Sequence, residues 1–454
     1  MVAGARLVGG TVLDSSAGTS TADVVMADGR LAAPSTATDL PVVDISGRLV
    51  LPGLVNVHDH LRSLLPATRA GESLTLSAVV DRAAAASGSA TAAHYRTLSA
   101  MGAARLVLGG VTSVIDHIYP VHRPGMVEAA VAGHESVGVR ASMAVGLMDV
   151  GRPGVAQDAH TTITQAARLI DDILPAERLF LAPVSLRQST PAAYRAAVDA
   201  ADRLGPRLYT HIAESEAEVE RCLAEHGMRP VELLHSFGFL RPGTIVVHCV
   251  HLDERDRQLL AGTGTAVAYC PSNHLRFAKG FAPVRDLLDR GVPVGLGIDG
   301  MADGFAEMRQ AIYAQGSATG HTGAISSEQA FRMATSVPAS MLGIAGLTGD
   351  LRVGDRADVV VVAVDRPGLQ PVADPLWTLV HRTGGTDVTD VFVDGQPVVR
   401  DGRLVRVDPS ELVEKATAAT TALAAAAGVE FPPYQGGSSA TPGSSRSGSD
   451  RASR

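Results

Sequence analysis

The sequence predicts an α/β fold, a (β/α)8 barrel of the TIM type joined to a small β-sandwich built from both ends of the chain. Eight short runs rich in β-branched residues alternate with helical stretches, such as residues 191–204 and 213–226, which is typical of a parallel barrel. Short strands broken by turns flank this region on both sides. Neither flank alone has enough strands for a stable sheet, so the two are expected to pair.

The predicted domain boundaries follow from these patterns. Residues 1–50 and 350–407 form the split β-sandwich. Residues 51–349 form the barrel, a length that exceeds the roughly 250 residues typical of such barrels. Residues 408–434 carry a C-terminal, Ala-rich helix, and the Gly- and Ser-rich residues 435–454 are expected to be disordered.

The composition limits the possible partners. The chain of 454 residues has 46% hydrophobic and 19% charged residues, which is typical of a globular protein with a sizeable core. A formal net charge of −8, without a run of Lys and Arg, argues against a nucleic-acid partner. No stretch approaches 18 consecutive apolar residues, and three scattered cysteines do not make a disulfide framework. We therefore expect a cytoplasmic protein that acts on a small molecule; a homodimer or higher homo-oligomer stays open.

Ionisable side chains close four of the eight predicted barrel strands, at the end where such barrels place their active sites. They are His58 and His60 on the first strand, His211 on the fifth, His248 on the sixth and Asp299 on the eighth. Because alternate residues of a strand point to the same side, His58 and His60 both face the interior, whereas Asp59 points away. Burying so many ionisable groups together is unfavourable unless something pairs with them. Imidazoles with a carboxylate suit Zn²⁺, with Fe²⁺ as the alternative, so the sequence predicts a metal site.

Five motifs span these strand ends and the loops beside them. They are PGLVNVHDH (52–60), HIAESEAE (211–218), HCVHLDE (248–254), CPSNHLRFAKGFAPV (270–284) and GLGIDG (295–300). In this order they resemble the amidohydrolase superfamily, in the branch of the triazine chlorohydrolases and the adenosine-analogue, guanine and 8-oxoguanine deaminases. The similarity covers residues 5 to about 405. It implies an aminohydrolase that attacks an amino- or amidine-bearing N-heterocycle, of the purine, triazine or pterin kind, with a metal-activated water and releases ammonia.

The resemblance also implies a role for each matching residue. His58, His60, His211 and Asp299 would bind the metal. Asp299 would in addition accept a proton of the water, and Glu214 would carry protons to a ring nitrogen and to the leaving group. His248 would hydrogen-bond the activated water or lie nearby as a further ligand. The neighbouring Glu216, Glu218 and Glu220 are expected to be solvated residues of a helix.

The lysine content decides the number of metal ions. Binuclear members of the superfamily bridge two metals with a carboxylated lysine on the fourth strand. This chain has no lysine between His60 and His211, so a lysine-bridged pair is excluded and one metal per subunit is expected.

Several other polar residues are candidates for substrate contact or specificity. They are Arg62, Arg69, Asp116, His117, His122, Arg187, Asn273 and His274. Residues 295–300 also match G-x-G-x-x-G, but no acidic residue closes a second strand about 20 residues on, so a dinucleotide site is not expected. Two alternatives stay open: hydrolysis of another C–N bond (a cyclic amide) or of a C–Cl bond, and a metal-free scaffold on the same fold. The segments after the fourth strand and after Asp299 differ from the adenosine-analogue deaminases, so the substrate is undetermined.

Overall fold

The computed structural model describes residues 4–15, 18–35, 39–63, 74, 76–170, 172–301, 303–344 and 346–429. The predicted disordered tail (435–454) and the candidate residue Arg69 lie outside these ranges. Among the helices in these ranges, none has the length and apolar character needed to cross a membrane.

Nineteen strands form three sheets in the described ranges. The N-terminal strands are β1 (Gly4–Val8), β2 (Thr11–Asp14), β3 (Gly18–Ser20), β4 (Val24–Ala27), β5 (Arg30–Ala32), β6 (Val42–Asp44) and β7 (Arg48–Pro52). The barrel strands are β8 (Leu54–Asp59), β9 (Val111–Ile118), β10 (Arg140–Leu147), β11 (Leu179–Pro183), β12 (Arg207–Ile212), β13 (Ile245–His248), β14 (Ala266–Tyr269) and β15 (Val294–Leu296). The C-terminal strands are β16 (Val359–Ala363), β17 (Val388–Val393), β18 (Gln396–Arg400) and β19 (Arg403–Leu404).

Strands from the two ends of the chain pair with each other. A seven-stranded sheet has the order β19-β18-β17-β16-β7-β2-β3, and a four-stranded sheet has the order β5-β4-β1-β6. The antiparallel β7–β16 pair sets Val50 opposite Val361 and joins the two flanks. Both sheets contribute to one apolar cluster, in which Met26 of one sheet and Val359 of the other are fully buried. The two flanks together therefore form a two-sheet structure; the boundaries given above for it remain a prediction.

The eight barrel strands lie in chain order, each parallel to its neighbour. The first and last barrel strands, β8 and β15, are at the two ends of this order, and the residues at their carboxyl ends contact each other. There the Asp299 backbone N–H donates to the carbonyl oxygen of His58 at 3.0 Å, and the Ile298 N–H donates to the side-chain oxygen of Asn56 at 3.0 Å. The (β/α)8 fold class predicted from the sequence is thereby confirmed.

Fifteen helices occupy the described ranges. They are α1 (Leu76–Ser87), α2 (Ala92–Leu108), α3 (Met126–Val137), α4 (Ala159–Ala167), α5 (Pro191–Leu204), α6 (Glu216–His226), α7 (Pro230–Ser236), α8 (Glu254–Thr263), α9 (Pro271–Arg276), α10 (Val284–Asp289), α11 (Gly304–Thr319), α12 (Ser327–Ala334), α13 (Ser336–Met341), α14 (Pro375–Arg382) and α15 (Pro409–Ala426).

Capping residues decide where the two helices expected around the fifth strand begin. Helix α5 starts at Pro191 as predicted, because the Thr190 side chain caps it by accepting from the backbone N–H of Ala193. Helix α6 begins three residues later than predicted. The hydroxyl of Ser215 accepts the N–H of Glu218 and sets the start at Glu216. Residues 213–215 are therefore a turn between strand and helix.

Helix α11 buries the carboxyl group of Glu307, which accepts the backbone N–H of Ser272 at 3.1 Å. Burial raises the pKa of Glu307 to about 8, since desolvation disfavours its charged form. The unfolded state loses this proton near pH 4.5, so the free energy of unfolding should fall between about pH 4.5 and pH 8. At 1.36 kcal/mol per pKa unit, the loss is on the order of 5 kcal/mol at most.

Glu307→Gln should remove that part of the pH dependence, because glutamine accepts the same N–H without titrating. Urea unfolding of the metal-loaded protein at pH 5 and pH 8.5 measures the change. We expect the variant to lose less stability over this interval than the wild type or Glu225→Gln, a matched change at an exposed carboxyl. Equal losses in all three proteins would show that Glu307 does not cause the pH dependence.

Candidate active site

The five side chains that the sequence placed at the strand ends lie together at one end of the barrel. The Oδ1 atom of Asp299 lies 3.3 Å from Nε2 of His58 and 3.8 Å from Nε2 of His60. The rings of His58 and His211 have their centroids 4.9 Å apart, and the rings of His211 and His248 are stacked at 5.3 Å. The structure therefore brings together every residue for which a metal or catalytic role was predicted at these ends.

Asp59 points away from the cluster, as its position on β8 predicts, and ties the barrel ends together. Its carboxylate accepts the backbone N–H groups of His60 at 2.8 Å and Gly300 at 3.0 Å. Its other oxygen accepts the side-chain amide of Asn56 at 3.0 Å, and Asn56 in turn accepts the N–H of His58. These bonds fix the backbone on both sides of the cluster. The sequence interpretation missed Asn56, although it stands within the first motif.

Three histidines are held by hydrogen bonds at Nδ1, each at 2.7 Å. The partner is the hydroxyl of Tyr209 for His58, the carbonyl oxygen of His117 for His60 and the carbonyl oxygen of Val184 for His211. A carbonyl oxygen only accepts, so Nδ1 of His60 and His211 carries the proton. Tyr209 donates its own proton to the carbonyl of Val57 at 2.9 Å, so it accepts from His58. All three Nε2 atoms then keep a free lone pair, as a metal ligand requires.

Burial sets the charges of the cluster. Desolvation, followed by repulsion from His58, lowers the pKa of His60 to about 4. Desolvation likewise lowers the pKa of His211 well below its usual range. Burial alone would raise the pKa of Asp299, but His58 and His60 outweigh it and lower that pKa. Neutral His60 and His211 beside the ionised Asp299 are ligands of the kind that zinc prefers.

The donor atoms are close enough together to hold a metal ion. Two overlapping groups of side chains each place their donor atoms within 4.8 Å of one another. One group is His58, His60, His117 and His211, and the other is His58, His248 and Asp299. The Nε2 atom of His58 is buried and has no hydrogen-bond partner among the described residues. A buried nitrogen without a partner is unfavourable unless an ion occupies the space before it. The residues present therefore fit a metal ion.

His117 also lies in this cluster, although the sequence suggested only a contact with substrate. Its ring centroid is 4.8 Å from that of His211, and neither ring nitrogen bonds a described residue. Asp116 points elsewhere: one oxygen accepts the N–H of Leu61, and the other lies 3.1 Å from Nε2 of His134. The structure thus places His117 in the cluster, whereas Asp116 contacts Leu61 and His134 instead.

Glu214 lies in the turn before α6 and contacts the far side of the cluster. Its Oε1 atom is 3.2 Å from Nε2 of His248 and forms an ion pair with the ammonium group of Lys279. Lys279 is buried and also donates to the side-chain oxygen of Asn273. The sequence interpretation missed this contact; the one available signal was an isolated lysine inside the fourth motif.

One of the neighbouring glutamates is not the solvated residue that was expected. Glu218 is buried, and its carboxyl accepts the N–H groups of Ala213 at 3.2 Å and Glu214 at 3.0 Å. Burial raises the pKa of Glu218 to about 7. The expectation was wrong for Glu218 because α6 starts late and turns this position inward, whereas Glu216 and Glu220 are exposed.

A cavity of about 940 Å³ opens onto the cluster. His60, His211, Glu214, His248 and Asp299 line its inner end, and Leu412, Val413 and Ala416 of α15 line its outer wall. Of the other candidates, Arg62, Arg187 and Asn273 border the cavity. His274 instead lies behind His248, with its Nε2 atom 3.2 Å from Nδ1 of that histidine. The size suits a ligand larger than a single ring.

Comparison with known proteins gives consistent matches. Residues 49–398 match the Amidohydrolase family. The chain is 33% identical to the 5-methylthioadenosine/S-adenosylhomocysteine deaminase of Syntrophobacter fumaroxidans, over 85% of this chain and 88% of that protein. It is also 33% identical to the 8-oxoguanine deaminase of Pseudomonas aeruginosa, over 88% and 95% of the two chains. An adenosine deaminase from Xanthomonas campestris, solved with bound zinc, has the same fold (TM-score 0.85, 24% identity, 93% and 98% coverage).

Proposed function

This chain belongs to the amidohydrolase family, and on that premise we propose that it is a zinc-dependent deaminase of amino- or amidine-bearing N-heterocycles. The observation that carries the proposal is the position of Glu214. Its carboxylate lines the same cavity as the histidine–aspartate cluster and is held there by Lys279. A carboxylate beside the expected reacting carbon can transfer the protons that release of ammonia requires.

The proposed metal ligands are His58, His60, His211 and Asp299, which would hold one Zn²⁺, with Fe²⁺ as the alternative. A bound ion of this kind supplies a nucleophilic water at neutral pH. We leave His117 out of the set because its ring lacks the hydrogen bond at the second nitrogen that metal-binding histidines usually make. His117 is fully buried and is not among the residues that line the cavity, although its ring packs beside that of His211.

The remaining steps belong to side chains at the cavity. Asp299 accepts a proton from the attacking water. Glu214 carries that proton to a ring nitrogen as the carbon is attacked, then takes the remaining proton of the hydroxyl group on the tetrahedral carbon and donates it to the departing amine. His274 holds the ring of His248 at Nδ1, and the Nε2 atom of His248, which lies 3.2 Å from Glu214, would be shared between that carboxylate and the water. Lys279 keeps the Glu214 carboxylate on the cavity side.

A second candidate is hydrolysis of a cyclic amide or of a C–Cl bond at the same site. Chloride leaves without being protonated, whereas an amine leaves as ammonia only after protonation. The Glu214–His248 contact, which provides such a proton donor, favours the deaminase over cleavage of a C–Cl bond. A metal-free scaffold is disfavoured, because it has no use for three imidazoles oriented towards one point.

Ammonia release across aminopurines, pterins, aminopyrimidines and aminotriazines tests the proposal. The zinc-loaded protein should release one ammonia per substrate consumed for at least one class. Consumption of a chlorotriazine or a cyclic amide, with no ammonia from any amino compound, would instead support the second candidate. The substrate is a small molecule; a homo-oligomeric state and a cytoplasmic location remain predictions.

Tyr209→Phe is expected to weaken zinc binding by about 10- to 100-fold, because His58 loses the acceptor that fixes its ring. The ring of Tyr209 stays packed on Phe180, so the fold should be retained. Competition with a chelator measures the affinity. Tyr194→Phe, which removes a buried hydroxyl bonded to Thr210 instead, is the control. Equal zinc affinity in wild type and Tyr209→Phe would contradict the orienting role.

Lys279→Met is expected to lower kcat by about 10- to 100-fold with unchanged zinc content. A hydrogen bond to a charged group contributes about 1.5–3 kcal/mol, and each 1.36 kcal/mol in the barrier is tenfold in rate. Methionine fills the space but cannot hold Glu214 in place. Steady-state kinetics with zinc analysis checks this, with the exposed Lys415→Met as control. A kcat equal to that of the wild type would show that Lys279 is not needed to position Glu214.

A further inference from the structure

The wall of the cavity carries an excess of positive charge. Four of its arginines have no carboxylate within 4.0 Å among the described residues; they are Arg62, Arg82, Arg187 and Arg276. The two described carboxylates that line the cavity, Glu214 and Asp299, already contact Lys279 and the histidines. The chain as a whole has a formal net charge of −8, so this local excess of cations is opposite to the overall charge.

Arg62 is the most constrained of the four. Arg62 is only 7% exposed, and its Nε atom is buried without a hydrogen-bond partner among the described residues. The guanidinium carbon lies 5.4 Å from the ring centroid of Tyr95 and 5.3 Å from that of Tyr119. The two rings stabilise the cation in part, but no carboxylate of the described residues pairs with it, and burying an unpaired charge is costly. An anion entering the cavity would supply that counter-ion.

Arg62 lines the same cavity as the histidine–aspartate cluster, so an anion bound to it would be near that cluster. The ring of Tyr119 packs against both, since its centroid is 5.3 Å from the guanidinium carbon of Arg62 and 5.3 Å from the ring centroid of His60. An anionic group paired with Arg62 would therefore lie in the same cavity as the proposed metal ligands, on the side of Tyr119. Arg62 follows β8 and Arg187 follows β11, so two separate barrel strands direct cations to the same cavity.

We propose that the substrate is an N-heterocycle bearing an anionic substituent, a carboxylate or a phosphate, which pairs with Arg62 while the amino group faces Glu214. The inference rests on the deaminase function proposed above and specifies its substrate class. The volume of about 940 Å³ and the apolar outer wall accommodate the linker between the ring and the anion. Guanidinium groups suit both anions, because they donate two parallel N–H bonds to paired oxygens.

Matched pairs of compounds test the proposal. Pterin and pterin-6-carboxylate differ by a carboxylate, and adenosine and its 5′-monophosphate differ by a phosphate, so the two pairs separate the two anions. We expect the wild type to have a kcat/KM at least about tenfold higher for the anionic member of one pair. Arg62→Gln should lower kcat/KM for that member by about 10- to 100-fold, mainly through KM, and leave the neutral member unchanged. Arg168→Gln, an exposed position outside the cavity wall, is the control.

Two results would overturn the inference: a wild type that prefers the neutral members, or an Arg62→Gln variant that loses activity equally on both members. Equal loss would mean that Arg62 only supports Tyr95 and Tyr119.

If the wild type releases ammonia from none of the four compounds, calorimetric measurement of their binding to the wild type and to Arg62→Gln tests the subsite instead. Tighter binding of an anionic member to the wild type than to Arg62→Gln would then support the subsite while counting against the deaminase function. Equal binding would reject the subsite.

Discussion

Glu214→Gln is expected to lower kcat by about a thousandfold while zinc remains bound. Glutamine has nearly the same shape but cannot transfer a proton, and general acid–base groups contribute about 10²–10⁴ in rate. The residue lies outside the proposed ligand set, so its loss should not release the metal. Steady-state ammonia release, together with metal analysis of the same samples, measures both quantities.

Glu216→Gln provides the matched control, because Glu216 is two residues away, exposed and at the start of α6. It should keep the activity of the wild type. Retention of more than about a tenth of the wild-type kcat in Glu214→Gln would contradict the proton-transfer role. Loss of zinc from Glu214→Gln would contradict the proposed division between ligands and proton carriers.

His211→Asn is expected to reduce bound zinc to a trace and to abolish ammonia release. His211 is buried, and its Nδ1 donates to Val184, so its Nε2 atom is directed at the cluster. Because a bound ligand stabilises the folded state by RT ln(1 + [L]/Kd), zinc should add about 4 kcal/mol to the wild type at a thousand times Kd. The variant should gain almost nothing. Metal analysis and thermal unfolding with and without zinc measure the two effects.

His226→Asn is the control, since His226 lies partly exposed at the end of α6, outside the cluster. It should bind zinc as the wild type does. Zinc-dependent stabilisation of His211→Asn equal to that of the wild type would remove His211 from the ligand set and favour His117 in its place, because the two rings are neighbours.

The barrel could be predicted because its pattern is local. Each β-run is followed by a helical stretch, and all eight runs became neighbouring parallel strands. The cluster followed from the same regularity: parallel strands of a barrel end on one face, so His58, His211 and Asp299 had to lie near one another. Strand alternation also gave the opposite orientations of His58 and Asp59.

The contacts that orient the cluster could not be predicted, because they join residues far apart in the chain. Tyr209 reaches His58 across 151 positions, and Lys279 reaches Glu214 across 65. Neither pairing has a local sequence signal. Glu218 was misjudged for a different reason: the start of α6 depends on whether Ser215 caps the helix, and that choice rotates the following glutamates. The resemblance pointed to roles but not to these supporting contacts.

The number of metal ions per chain is the decisive quantity, because the proposed ligand set and the missing bridging lysine both imply a single ion. Titration of the metal-free protein with Zn²⁺, followed by ammonia release, measures it. We predict activity that is absent at the start and saturates at about one equivalent per chain. Activity that needs two equivalents would contradict the mononuclear site. Activity that is full without added metal, in protein holding less than about a tenth of an equivalent, would contradict metal dependence itself.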